Sequence, residues 1–219
     1  ARRATEEPAI NLSFPLRGGT YYVANGGSAL LANTHITTLN DDRLRGYRGQ
    51  SYAVDLVRLD GLGMRASGVL PADLGRYISL GEPVLAPCDG PVVAVENSAP
   101  DLAPPLTDRE RPAGNFVFLD CGSAHVLLAH LMQGSVSLKP GERVMAGQTI
   151  GTIGNSGNSD EPHLHIHAQK ATTGTRRLFD AQPVPMTLEG RALARNDVIR
   201  TGAVPPPTMT ATELLYTQL

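Results

Sequence analysis

Apolar positions along this chain come in short runs broken by glycine, proline and polar turns, and within the runs they alternate. In residues 50–59 (QSYAVDLVRL), Tyr52, Val54, Leu56 and Leu59 are set off by polar neighbours, which predicts a strand buried on at least one face. A shorter strand is predicted at residues 20–24, inside a Gly-rich, irregular stretch that runs from residue 12 to about residue 40. Residues 115–119 and 125–131 predict a strong strand pair. The Pro- and charge-rich segment 97–113 before them reads as an exposed, mobile loop.

The middle of the chain repeats itself. Gly81-Glu82-Pro83-Val84-Leu85-Ala86 recurs as Gly141-Glu142-Arg143-Val144-Met145-Ala146, 60 positions later. Each copy opens a strand, turn, strand pattern, one turning at Asp89-Gly90 and the other at Gly147, so two similar hairpins packed together are expected. Beyond Ile166, turns and short strands continue until Pro205 to Pro207 close the compact region. The tail TATELLYTQL forms either a short helix or a loose end.

Composition narrows the class. The 219 residues suffice for one domain with a sizeable core, with or without an added N-terminal segment. Gly 23 and Pro 17 favour many turns over long helices, and with no Trp the core must be mainly aliphatic. The expected fold is mainly β: antiparallel sheets in a sandwich or barrel-like arrangement, with long loops and little helix. A net charge of -2 argues against a nucleic-acid partner, which would require a basic surplus. No apolar run approaches the roughly 20 residues of a membrane span. The start, ARRATEEPAI, has no apolar core of a secretion signal, so the chain is either intracellular or already processed. Cys88 and Cys121 belong to no C-x-x-C pair, which excludes a zinc site of cysteine type. Each sits at a strand end beside a turn, leaving one disulfide or a buried pair of free thiols.

The chemistry lies in the histidines. In PHLHIHA, His163, His165 and His167 recur every second residue, so on a strand all three share one face, with Leu164 and Ile166 on the other. Three imidazoles on one face are expensive in a core and useful at a metal such as Zn²⁺. His125 and His130 share another strand, and His125 by itself is an ordinary surface or hydrogen-bonded core residue. Asp55 sits among Val54, Leu56 and Val57 and needs a partner, either a metal or one of the 17 arginines.

Three strings in order resemble the lysostaphin/LytM-type zinc metallopeptidases. GNSGNSDEPHLHIH resembles their closing G-x-S-G-x-S…P-H-L-H motif, Gly114-Asn115-Phe116-Val117 through Ala129-His130-Leu131 their central stretch, and KPGERVMAGQTIGTIGNSG their Gly-rich hairpin. The resemblance covers about residues 80–168 and implies a duplicated hybrid-motif fold and one Zn²⁺ per chain. It further implies His165 and Asp55 as metal ligands and His130 and His163 as catalytic histidines. The remaining ligand should be a histidine four residues before the aspartate, where this sequence has Ser51. His35 is the only upstream histidine, so an intact site needs it across a 19-residue insertion whose DDRLR segment, Gly46 and Gly49 suggest an exposed excursion. His167 has no essential part in the family pattern, and alternation puts it on the metal side, supporting a ligand or the substrate.

The implied organisation is an N-terminal strand and loop segment carrying His35 (1–49), a metallopeptidase core (50–180), and C-terminal strands with a tail packing on that core (181–219). The implied activity is endopeptidase action on peptidoglycan cross-links or stem peptides, outside the cytoplasm after signal removal. A non-catalytic peptidoglycan-binding or hydrolase-activating module on the same scaffold is the rival. A biotinyl-like carrier is set aside, because no carrier lysine follows GERVMAGQTIG. The sequence leaves the oligomeric state open.

Overall fold

The computed structural model describes residues 8–171 and 178–202. The tail from residue 203 on, with the helix-or-loose expectation attached to it, lies outside the described residues. The strands are β1 (Ile10–Leu12), β2 (Gly19–Asn25), β3 (Val54–Leu59), β4 (Pro83–Leu85), β5 (Gly90–Glu96), β6 (Asn115–Asp120), β7 (His125–Leu131), β8 (Arg143–Val144), β9 (Thr149–Thr152), β10 (Leu164–Gln169), β11 (Pro183–Val184), β12 (Met186–Leu188) and β13 (Val198–Thr201). The main sheet runs β13-β2-β3-β10-β7-β6-β5-β8 with every neighbour antiparallel, and β11 adds to the end of β10. Two small sheets, β4-β9 and the parallel pair β1-β12, cover one of its faces. The result is mainly β and sandwich-like without a closed barrel. Among the described residues, no helix is long and apolar enough to cross a membrane.

The predicted strand at 50–59 is real only from Val54 onward. Residues Asp42–Gln50 form a 3-10 helix and a turn follows, because Asp41 caps that helix by accepting from the Arg43 amide. Much of the excursion is exposed, as the sequence suggests, but Gly49 is buried and donates its amide to the Phe179 carbonyl. Segment 97–113 is likewise exposed only in part. Asp101 pins it by accepting from the amides of Asn155 (2.6 Å) and Gln133 (2.9 Å).

The internal repeat takes a form the sequence does not predict. Neither copy closes on its own turn; the two exchange partners, β4 pairing with β9 and β5 with β8. Gly81 donates to Ile153 while Ile153 donates to Glu82, and Gly141 donates to Val92 while Val92 donates to Glu142. The repeated G-E is therefore the same joint used twice. Its glycine adopts φ of 78° at Gly81 and 92° at Gly141, where a side chain would be strained.

The main core lies between the large sheet and the small ones. Val54, Leu56, Leu128, Leu164 and Ile166 from the large sheet pack with Leu12, Val84, Ile150 and Leu188. A second cluster, with Phe116, Phe118, Leu127 and Ala129, covers the other face. The central strands are thus apolar on both sides, except where histidines replace the pattern.

Cys88 and Cys121 are joined by a disulfide across a sequence separation of 33. Replacing both by alanine is expected to lower stability by about 3–4 kcal/mol, since the bridge restricts the unfolded chain. A fall in melting temperature of roughly 10 °C would register it, and an unchanged melting curve would contradict it.

Candidate metal centre

Three strands and one short turn bring the polar groups together. His165 on β10 lies directly opposite Asp55 on β3, so the two side chains share a face of the sheet. Leu164 and Ile166 point the other way, into the core. His163 precedes β10 instead of lying in it, yet its Nε2 comes within 3.7 Å of Asp55 Oδ1.

His130 reaches the same face by a different route. On β7 the residues opposite His165 and His167 of β10 are Ala129 and Leu127, so strict alternation would turn His130 into the core. Pairing with β6 skips it: Asn115 faces Leu131 and Phe116 faces Ala129. His130 is the extra residue of a bulge, with φ of 63°, and the bulge redirects its ring toward His163, 4.8 Å away between ring centres. A left-handed residue other than glycine costs about 1–3 kcal/mol and is retained where the surroundings enforce it. Here the His130 amide donates to Ala113 and its carbonyl accepts from Gly154.

His35 comes from outside the sheet, on a 3-10 turn spanning Thr34–Ile36. Asn33 caps that turn by accepting from the His35 amide, and the Asn33 side-chain amide donates to the Ala53 carbonyl at 3.1 Å, which ties the turn to the start of β3. Thr38 adds a second tie through the hydroxyl of Ser51, 2.7 Å away. Ser51, in the position where the resemblance expects the first histidine, thus helps to hold His35.

Asp55 is 5% exposed and, among the described residues, its partners are imidazoles and an amide, not an arginine. Oδ2 faces His35 Nε2 at 2.9 Å and accepts from the Asn25 side chain at 2.9 Å; Oδ1 faces His165 Nδ1 at 2.9 Å. Burial alone would raise the Asp55 pKa, but His35, His165 and His163 outweigh it and hold the carboxyl well below its usual range. Burial works against the charged His35 as well, and the Asp55 carboxylate reverses this to a net rise. His130 and His167 are driven well below the ordinary histidine value, and His165 below it, in each case first by burial. His167 Nδ1 lies 3.0 Å from His165 Nε2, and its own Nε2 donates to the Leu178 carbonyl at 3.0 Å.

Two further carbonyls orient the remaining rings. Nδ1–H of His130 donates to Ser156 O at 2.9 Å, and Nδ1–H of His163 to Glu161 O at 2.8 Å. In its neutral form each ring therefore has a bare Nε2. His125 stands apart: buried, edge-on to Phe118 and part of no cluster with the others.

His35, Asp55 and His165 each offer one ligand atom, all within 4.8 Å of one another. Two imidazole nitrogens and a carboxylate, Asp55 and His165 buried and His35 partly so, with no lysine or arginine paired to them among the described residues, are a donor set that fits a divalent cation such as zinc. They lie in a cavity of about 300 Å³ that His130, His163, Phe179 and Asn158 also line. The sequence gives no hint of Asn25 or of the Leu178 carbonyl. Asn33 was legible in principle, as Asn two residues before His35 is a helix-capping signal.

Fold and donor set together define a β-sheet domain with a histidine–carboxylate cluster whose geometry could hold a metal ion. Residues 76–177 match Peptidase family M23. Among solved structures, it is similar to the catalytic domain of a mutant of the prophage-encoded M23 protein EnpA from Enterococcus faecalis (20% identity, 61% of this chain and 73% of that one, TM-score 0.39). It is similar to a putative peptidase M23 from Pseudomonas aeruginosa (15% identity, 82% and 50%, TM-score 0.43), of whose length it spans half. The catalytic domain of the antimicrobial peptidase lysostaphin from Staphylococcus simulans also matches (24% identity, 60% and 74%, TM-score 0.37).

The buried rings make the metal-free protein acid-sensitive. His130, His165 and His167 stay neutral in the folded chain but protonate near pH 6.5 once unfolded, so the stability they allow is present above that pH and lost below it. His35 shifts the opposite way and offsets one of them. Urea unfolding of metal-free protein should show stability falling from pH 7 to 5 by about 1.4 kcal/mol per pH unit for each unbalanced ring. A flat profile over that window would contradict the neutral assignment.

Proposed function

We propose that this chain is a zinc-dependent endopeptidase that hydrolyses peptide bonds in the cross-links or stem peptides of peptidoglycan, working outside the cytoplasm in a periplasmic or secreted setting. The observation that carries this reading is the convergence of His35, Asp55 and His165 in the cavity that His130 and His163 also line. The match of residues 76–177 to a peptidase family supports the reaction class. The Cys88–Cys121 bridge supports an oxidising compartment.

Zinc held by His35, Asp55 and His165 would lower the pKa of a bound water toward about 7 and polarise a substrate carbonyl. The protons fall to His130 and His163. With Nδ1–H committed to a backbone carbonyl, each ring offers Nε2 as an acceptor, so either can serve as general base toward the attacking water. Once protonated, that nitrogen becomes a donor to the oxyanion or to the leaving amine. Asn25 donates to Asp55 Oδ2 and holds the carboxylate meanwhile. His167 backs His165 from the side away from Asp55.

The rival, a non-catalytic module, drew its support from Ser51 standing where a ligand histidine is expected. His35 within 2.9 Å of Asp55 favours the enzyme instead. The deciding experiment incubates zinc-loaded protein with purified peptidoglycan and with synthetic cross-bridge and stem peptides, reading products by mass spectrometry. Cleavage should stop with a chelator and return with zinc. Stoichiometric zinc with intact substrates would leave the binding module as the better reading.

A further inference from the structure

We infer that Asn25 is a positioning residue for this centre: its side-chain amide ties the Thr34 hydroxyl, next in the chain to His35, to the Asp55 carboxylate and so holds the two separated ligands in one frame. The inference deepens the proposed metal site and rests on the reading of His35 and Asp55 as ligands.

His35 and Asp55 lie 20 positions apart on different elements, one on a short turn and the other on β3, so no strand period fixes their spacing. Asn25, at the end of β2, meets both. Its Nδ2 donates to Asp55 Oδ2 at 2.9 Å, and its Oδ1 accepts from the Thr34 hydroxyl at 3.2 Å. Asn25, Thr34, His35 and Asp55 all line the same cavity.

An irregularity in the sheet puts Asn25 there. Val23 lies opposite Leu56, and both are buried in the main core. Strict alternation would set Ala24 against Asp55 and send Asn25, like Val23, into that core. The register shifts between Val23 and Asn25, and Asn25 stands opposite Asp55 on the face of the site. The other ties on the His35 turn stop short of the ligands: Asn33 donates to the Ala53 carbonyl, and Thr38 meets the Ser51 hydroxyl. Asn25 reaches the ligand carboxylate itself. Among the described residues, the other hydrogen-bond partners of Asp55 are His35 and His165, whose nitrogens belong to the converging ligand atoms and would turn to a cation. Asn25 is the partner left to fix the rotation of the carboxylate, and the loss of such a partner weakens metal binding.

The test compares wild-type protein with Asn25→Leu, Thr34→Val and the double variant. Leucine keeps the bulk of asparagine without its amide, and valine keeps the shape of threonine without its hydroxyl. Chelator competition with zinc alone should show affinity reduced about 10- to 100-fold in Asn25→Leu. In Thr34→Val the reduction should be about 2- to 10-fold, the worth of one hydrogen bond. Because the Thr34 contact ends on Asn25, the double variant should lose no more than Asn25→Leu alone, whereas two independent structural roles would multiply their losses. The visible absorption of cobalt(II)-loaded protein, which reads the geometry of the ligands, should change in Asn25→Leu. Undiminished zinc affinity in either single variant, multiplied losses in the double variant, or an unchanged cobalt spectrum overturns the inference. If Asn25→Leu does not fold, Thr34→Val, at an exposed position, still decides. Hydrogen exchange on metal-free protein reads the tie without any metal: the amides of residues 35–38 should exchange faster in both single variants than in the wild type. Faster exchange in variants of a wild type that binds no zinc upholds the tie and overturns the metal reading beneath it.

Discussion

His35→Ala is expected to weaken zinc binding by roughly a hundredfold or more, and His165→Ala to do at least the same. Structural zinc sites have apparent binding energies of about 10–16 kcal/mol over four ligands, so each contributes about 3 kcal/mol, or about a hundredfold. His165 should be the more damaging, because its ring is buried against Asp55 and its removal also deprives His167 Nδ1 of its partner. His165→Ala should therefore melt lower even without metal. His35 bears more weight. It lies on a turn outside the sheet, held by Asn33 and Thr38, in a position the family pattern does not assign. Titration calorimetry with zinc measures both variants. Wild-type affinity in His35→Ala would mean that Asp55 and His165 are completed by another group.

His130→Ala and His163→Ala should behave in the opposite sense, keeping stoichiometric zinc while losing about 10²- to 10⁴-fold in peptide hydrolysis, the usual worth of an acid–base group. Neither ring is among the converging ligand atoms, and both have Nδ1 tied to the backbone. The His130 variant carries a second signature. Its φ of 63° is costly for any side chain, so His130→Gly should be no less stable than His130→Ala, though equally inactive. Zinc content by elemental analysis, beside turnover of a cleaved peptide, separates the two classes of histidine. Loss of zinc from either variant would move that residue among the ligands.

Local periodicity made much of this legible in the sequence. Alternation in PHLHIHA put His165 and His167 on one face and Leu164 and Ile166 on the other, and the strand β10 has that arrangement. The apolar run around Asp55 marked a buried carboxylate in need of partners, because a charge left unpaired among valines and leucines is costly to bury. The G-E repeat 60 positions apart marked two equivalent units. The exchange of strands between them was not legible, since hairpin closure and cross-pairing satisfy the same alternating pattern.

What the sequence determined by itself was the sheet-forming character of the chain, the faces of its central strands and the residue types gathered for chemistry. Those follow from the period of two and from the cost of burying polar groups. The tertiary structure alone decided which groups meet. Strand period turns His130 into the core, and only the unequal pairing of β6 with β7 opens the bulge that brings it out. His35 carries no positional signal relative to Asp55; the Asn33 and Thr38 contacts to β3 and to the turn before it bring it within 2.9 Å. The Leu178 carbonyl, anchor of the His167 and His165 rings, is a backbone atom that any residue type would supply. Long-range hydrogen bonds and backbone acceptors leave no mark on the order of side chains, and so this part of the site had to come from the fold.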